Sequence, residues 1–397
     1  LSLLLFGALA ALTPRVSAQG GVPLWTNRYN GPGIGGDYCR AAVVDGDGNV
    51  FVTGGSSGSS STDYLTIKYS SAGVPLWTNR FNGPGNSSDY AYAAAVDVSG
   101  NVFVTGSSYV SGSANNYATI AYSSTGVPLW TNYYNGPGNN YDIPYRVVVD
   151  GGGNVFVTGY SVGSGSSEDY ATIAYSSAGA PLWTNRYNGS GNGNDEARDL
   201  VVDGSGNVVV TGGSESDYVT IKYSSAGVPM WTNRYSGPGN GDDFAFAVAT
   251  DDSGNLFVTG QSVGSGSFYD YATIAYSGAG VPLWTNRYNG TGNGDDCANA
   301  IAVDGSGNVF VAGQSSDGSF FDYATVAYSG AGVPLWTNRY NGPGNDDDIA
   351  RAVAVDGAGN VFVTGYSYAT NGVADYATIG YASTGVPLWT NRYDGPP

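Results

Sequence analysis

The side chains whose type and spacing could do chemistry in this sequence are carboxylates. The turn Asp45-Gly46-Asp47-Gly48-Asn49 has part of the ligand spacing of a calcium loop, and Asp346, Asp347 and Asp348 stand in tandem. Clustered carboxylates beside Gly and Asn carbonyls suit a hard cation, so calcium is the metal these residues point to. The Asp45 turn lacks a glycine at its sixth position and a distant bidentate Glu. Its six sister turns hold Ser, Gly or Ala where Asp47 stands. Internal use of the same acids is the preferred reading, because a repeated acid is first a structural habit of its repeat. Arg28, Arg80, Arg186, Arg234, Arg287, Arg339 and Arg392 recur at one position and can pair with Asp63, Asp169, Asp217, Asp270, Asp322 and Asp375. Asp45, Asp97, Asp150, Asp203, Asp251, Asp304 and Asp356 each precede a turn whose backbone N–H groups they can accept.

Catalytic arrangements have less to build on. Histidine is absent, which removes His-based triads, His-ligated zinc and the commonest general base. The lysines are Lys68 and Lys222, and neither gives the plentiful serines a partner. A glycosidase needs two carboxylates in unlike environments, whereas these acids recur almost identically and no pair stands out. Cys39 and Cys297 are expected to be free, largely buried thiols too far apart to bridge. No catalytic residue and no organic cofactor is assigned.

Charge narrows the partners. A net charge of −18 with 14 Lys and Arg argues against nucleic acid, which needs basic surface. Acids concentrated in the loops before the first strand and after the second of each unit are expected to put most negative charge on one face of the molecule.

The elements that position these residues form a repeat. The segment PLWTN, once PMWTN, places Trp25, Trp77, Trp130, Trp183, Trp231, Trp284, Trp336 and Trp389 at intervals of about fifty residues. Between successive tryptophans lie three more recurring segments, seen in the last unit as Ala350–Asp356, Val361–Gly365 and Asp375–Tyr381. Each is short, apolar or alternating, and bounded by Gly, Asn, Asp or Ser, the pattern of antiparallel strands joined by tight turns. Four strands per unit of this length is the sequence form of a propeller blade. The expected fold is therefore all-β: a seven-bladed β-propeller with four antiparallel strands, A to D, in each blade. The eight tryptophans are assigned structural roles, filling the space between adjacent sheets.

Eight tryptophan segments serve seven copies of the other three, so one copy is extra, at 22–29 or at 386–393. Either Pro23–Tyr29 supplies the outer strand of the last blade and ties the termini together, or Pro387–Tyr393 does so by its own hairpin at lower loop entropy.

The units ANAIAVDGSGNVFVAG, FDYATVAYS and GAGVPLWTNRYNGPGN resemble the SBBP repeat, a family of bacterial seven-bladed propellers. The resemblance implies a fold and says little about function.

The N-terminal run Leu1–Leu12 is apolar and is followed by Val16-Ser17-Ala18, a small-x-small cleavage form. The run is too short to span a bilayer, so 1–18 reads as a signal peptide cut short at its start, with a single propeller over 19–397. The expectation is a secreted or cell-surface monomer without a membrane span. It would act as a non-enzymatic binding or scaffold module for an extracellular protein or glycan. The alternatives are a polysaccharide hydrolase or lyase using the acidic loop face, and a structural surface protein with loop-bound calcium.

Overall fold

The computed structural model describes residues 21–58, 61–239 and 241–395; the signal-peptide assignment at 1–18 lies outside them. Seven four-stranded antiparallel sheets follow one another along the chain, at 37–81, 89–134, 142–187, 195–235, 243–288, 296–340 and 348–393. Each has sequential order A-B-C-D, as Asp37–Val44, Val50–Ser57, Thr62–Tyr69 and Pro75–Phe81 do in blade 1. A strands of successive blades touch one another from blade 1 through blade 7, so the A strands line the axis and the D strands lie outermost. This is the expected seven-bladed all-β propeller.

The repeated residues explain the stacking. The B and C strands are buried on both faces, consistent with a sheet sandwiched between two others. Trp77 of blade 1 lies beside Tyr122 of blade 2, 6.0 Å between ring centroids, and its Nε1 donates to the Ser124 carbonyl at 3.1 Å. Asn79, on the same face of the D strand, donates to the Gly126 carbonyl at 2.7 Å. Gly126 has a left-handed φ of 86° and a Cβ there would press into the Trp77 ring, so glycine is required at this turn for two reasons. Deeper in the same joint, the buried Tyr64 hydroxyl donates to the Ala118 carbonyl at 3.2 Å. The same tyrosine bond recurs at the next five joints, from Tyr117 to Ala171 through Tyr323 to Ala377.

Every A strand carries a bulge. The register with strand B slips by one residue at Arg40, Tyr92, Tyr145, Arg198, Phe246, Asn299 and Arg351. The extra residue is re-aimed away from the ladder, which is a common use of a bulge beside a binding site. The B-strand glycine opposite permits the close approach; a Cβ at Gly159 would strike the Ile143 carbonyl.

The joint between blade 7 and blade 1 differs from the other six. Pro387–Tyr393 pairs with its own C strand, Ala374–Tyr381, so the last blade is complete by hairpin. Residues 22–29 belong to no sheet, yet Trp25 lies 5.7 Å from Tyr69 and donates to the Ser71 carbonyl, as Trp77 does on blade 2. No helix among the described residues is long and apolar enough to cross a membrane.

Candidate functional site at the channel mouth

The acids singled out in the sequence are mostly occupied by the protein itself. Asp45 accepts the backbone N–H of Asp47 and Asn49 at 3.1 and 2.8 Å, takes the Asn49 side-chain amide, and pairs with Lys68 at 3.2 Å. Burial pushes its carboxyl up, but Asn49 and Lys68 outweigh that and hold it below the ordinary value. Asp47 itself is exposed. Asp346 accepts the N–H of Asp347 at 2.8 Å, Asp347 that of Phe321 at 3.0 Å, and Asp348 that of Gly342. Among the described residues no three of His, Cys, Asp or Glu converge as a metal site would require.

The expected acidic face is much reduced for the same reason. Asp89, Asp142, Asp195, Asp243, Asp296 and Asp348, read as loop acids, are the buried first residues of A strands. In each case a glycine six residues earlier donates its N–H to the carboxylate, as Gly136 does to Asp142 at 2.9 Å. The B–C acids pair with D-strand arginines six times: Arg80–Asp63, Arg186–Asp169, Arg234–Asp217, Arg287–Asp270, Arg339–Asp322 and Arg392–Asp375, at 2.6–3.0 Å. Blade 2 has Tyr133 and Asn116 at those two positions, so both charges are absent together. Lys222 is buried against Asp203 at 2.8 Å and donates to Gly278 of blade 5 at 2.9 Å. Both cysteines are free, but Cys39 is exposed rather than buried because no blade covers that part of blade 1.

One break in symmetry gathers aromatic and charged side chains. On blades 2 to 4, at the axial end formed by the starts of A and C and the end of B, the bulge residues Tyr92, Tyr145 and Arg198 meet Tyr160, Glu168 and Glu196. The Tyr145 ring lies 6.5 Å from Tyr92 and 5.8 Å from Tyr160, and the Arg198 guanidinium sits over Tyr145 at 4.6 Å. Arg198 also pairs with Glu196, whose carboxylate acts on Glu168 of the neighbouring blade. Burial first, and then the Glu196 charge, push Glu168 up to about 7. Burial likewise pushes Tyr145 up to about 12, so its hydroxyl stays a neutral donor and acceptor. Deeper on the same wall Arg146 pairs with Asp199 at 3.0 Å, while the corresponding positions of the other five blades are alanine.

Sequence reasoning missed this cluster. Its signal was present: the three glutamates of the chain, Glu168, Glu196 and Glu215, all fall in blades 3 and 4. The site offers three half-buried phenol rings for stacking and the Glu168 carboxyl, which is raised by burial and by Glu196.

Fold and site together define a β-propeller with one asymmetric face. The SBBP family model, a beta-propeller repeat, matches residues 335–372, and that match and the seven-bladed fold fit the SBBP-type repeat read in the sequence. Among solved structures, a protein from Lactobacillus plantarum is similar at 13% identity with TM-score 0.55, over 88% of this chain and 96% of that one. Sqt1 from Chaetomium thermophilum is similar at 10% identity with TM-score 0.56, over 90% and 88%. The periplasmic gluconolactonase PpgL of Pseudomonas aeruginosa is similar at 15% identity with TM-score 0.52, over 87% and 99%. At these identities the likeness is one of fold alone. A comparison with curated proteins found no match.

Proposed function

We propose that this chain is a non-enzymatic extracellular binding module that recognises a glycan or protein segment at the channel mouth of blades 2 to 4. One observation carries the reading: Tyr92, Tyr145, Tyr160, Glu168, Glu196 and Arg198 depart from the repeat together and gather aromatic and charged groups at one axial end. Aromatic rings backed by a small number of polar groups suit the apolar faces and hydroxyl or amide edges of such ligands. Sqt1, a propeller of similar fold, was solved bound to the N-terminus of ribosomal protein L10, so this architecture is compatible with peptide capture.

A hydrolase or lyase reading draws on Glu168, whose raised pKa beside an arginine-paired Glu196 gives two unlike carboxyls. Weighing against it, Glu196 is held by Arg198 rather than free to serve as nucleophile or base. The calcium-stiffened surface protein is supported less, since the carboxylates it would use already hold protein donors. Glycan and peptide arrays probed with the mature chain and with Tyr145→Ala test the proposal. Binding that Tyr145→Ala abolishes supports it, and turnover of a polysaccharide that Glu168→Gln abolishes would replace it with the enzyme reading.

A further inference from the structure

We infer that the joint between blades 7 and 1 is an eighth blade position, with residues 22–29 as its outer strand. Its three inner strands would be one further A–B–C unit of this same repeat, unpaired with a D strand of its own.

The outer contacts are already those of a blade. Toward blade 1, Trp25 donates to the Ser71 carbonyl at 3.0 Å and Asn27 to the Gly73 carbonyl at 2.7 Å, repeating what Trp77 and Asn79 do to blade 2. Toward blade 7, Asn391 donates to the Gly21 carbonyl, and Gly21, at φ 68°, lies against the Trp389 ring as Gly126 lies against Trp77. Residues 21–29 therefore sit one position after blade 7 and one before blade 1.

The inner contacts are missing on both sides. Tyr376 is 66% exposed, whereas its six counterparts, Tyr64 to Tyr323, are each 1% exposed and bonded to the next blade. The Trp389 Nε1 is buried without a partner among the described residues. On blade 1, Cys39 is exposed although five of its counterparts, among them Ala91 and Ala350, are wholly buried. A cavity of about 190 Å³ opens there between Trp25 and Tyr29 and the apolar face of Val52, Leu65 and Ile67. Arg28 finds no carboxylate among the described residues, whereas the six other D-strand arginines each hold an aspartate from their own C strand.

The occupant must supply a C-strand aspartate for Arg28, a carbonyl for Tyr376, apolar side chains on both faces and an edge for residues 22–29. Six of the chain's own A–B–C units have this set; blade 2 carries Asn116 in place of the aspartate. A second copy offers none spare, since all seven of its units are closed by their D strands.

The test adds a synthetic segment of residues 243–276, which includes Asp270, to the full chain and follows alkylation of Cys39 by mass spectrometry, with Cys297 as reference. Cys39 is expected to react readily in the chain alone and about tenfold or more slowly with saturating segment. Arg28→Ala should weaken that protection. The same segment fused after Pro397 gives the same readout without depending on the solubility of the free peptide. Three results would overturn the inference: Cys39 already protected in the dilute chain, protection that rises with the chain's own concentration, or no protection in the folded fusion.

Discussion

Glu168 of blade 3 lies beside the Glu196 carboxylate of blade 4, so two like charges face each other across the joint between two sheets. The arrangement has a cost at neutral pH and makes the surface sensitive to acidity. A carboxyl that is harder to ionise folded than unfolded stabilises the fold while protonated. That contribution is present below its ordinary 4.5 and is lost as pH rises toward about 7.

Thermal stability should therefore carry a downward component between pH 4.5 and pH 7 that Glu168→Gln removes. The gain of the variant at pH 8 is expected to be below about 1 kcal/mol, because the half-exposed pair is screened by solvent. Parallel melts across pH check this; a slope unchanged by the substitution counts against a raised Glu168 carboxyl.

The tyrosine bond between blades gives a graded prediction. Tyr218 donates to the Ala272 carbonyl at 3.2 Å in a fully buried joint, so Tyr218→Phe should cost about 1 kcal/mol. Tyr376→Phe should stay within about 0.5 kcal/mol, since its hydroxyl reaches solvent. Urea midpoints of the two variants decide it.

Blade 2 shows how the Arg–Asp pair can be replaced. Asp169→Asn or Arg186→Tyr alone should each cost about 1–3 kcal/mol by leaving one half-buried charge. The double variant copies Asn116 and Tyr133 and should recover at least half of the summed loss, a coupling that a double-mutant cycle reads directly.

Lys222 has natural controls too. Burial pushes its partner Asp203 up, but Lys222 and Asn207 outweigh it and hold the carboxyl below the ordinary value. Blades 2, 3, 5 and 6 carry alanine in place of the lysine and keep the turn, so Lys222→Ala should cost no more than about 2 kcal/mol. Asp203→Ala removes the bonds to Ser205 and Asn207 as well and should cost about 2–3 kcal/mol. Denaturant melts that rank the two in the opposite order would contradict the role given to the turn.

Much of this was legible in the sequence, for local reasons. Period-two apolar runs between Gly-rich turns gave the strands, and the spacing of Trp25 to Trp389 gave the blades. The Arg186–Asp169 type of pair was readable because both residues recur in step. Asp142 and its counterparts were misread because the Gly-x-Gly-Asn run before them looks like open loop, and only the fold returns the Gly136 N–H to the carboxylate. Tyr145 and Arg198 were hidden by the bulges, which turn them toward the axis in a way that strand alternation does not encode. Cys39, expected to be largely buried, is exposed, beside the cavity that Trp25 and Tyr29 border at the joint toward blade 7.

Hydrogen–deuterium exchange of the chain with and without the best array ligand tests the binding surface most directly. Protection is expected in the segments holding Tyr92, Tyr145 to Arg146, Tyr160, Glu168 and Glu196 to Asp199, with little change on blades 5 to 7. Protection confined to the A–B turns, or to blades 5 to 7, would contradict a recognition site at this channel mouth.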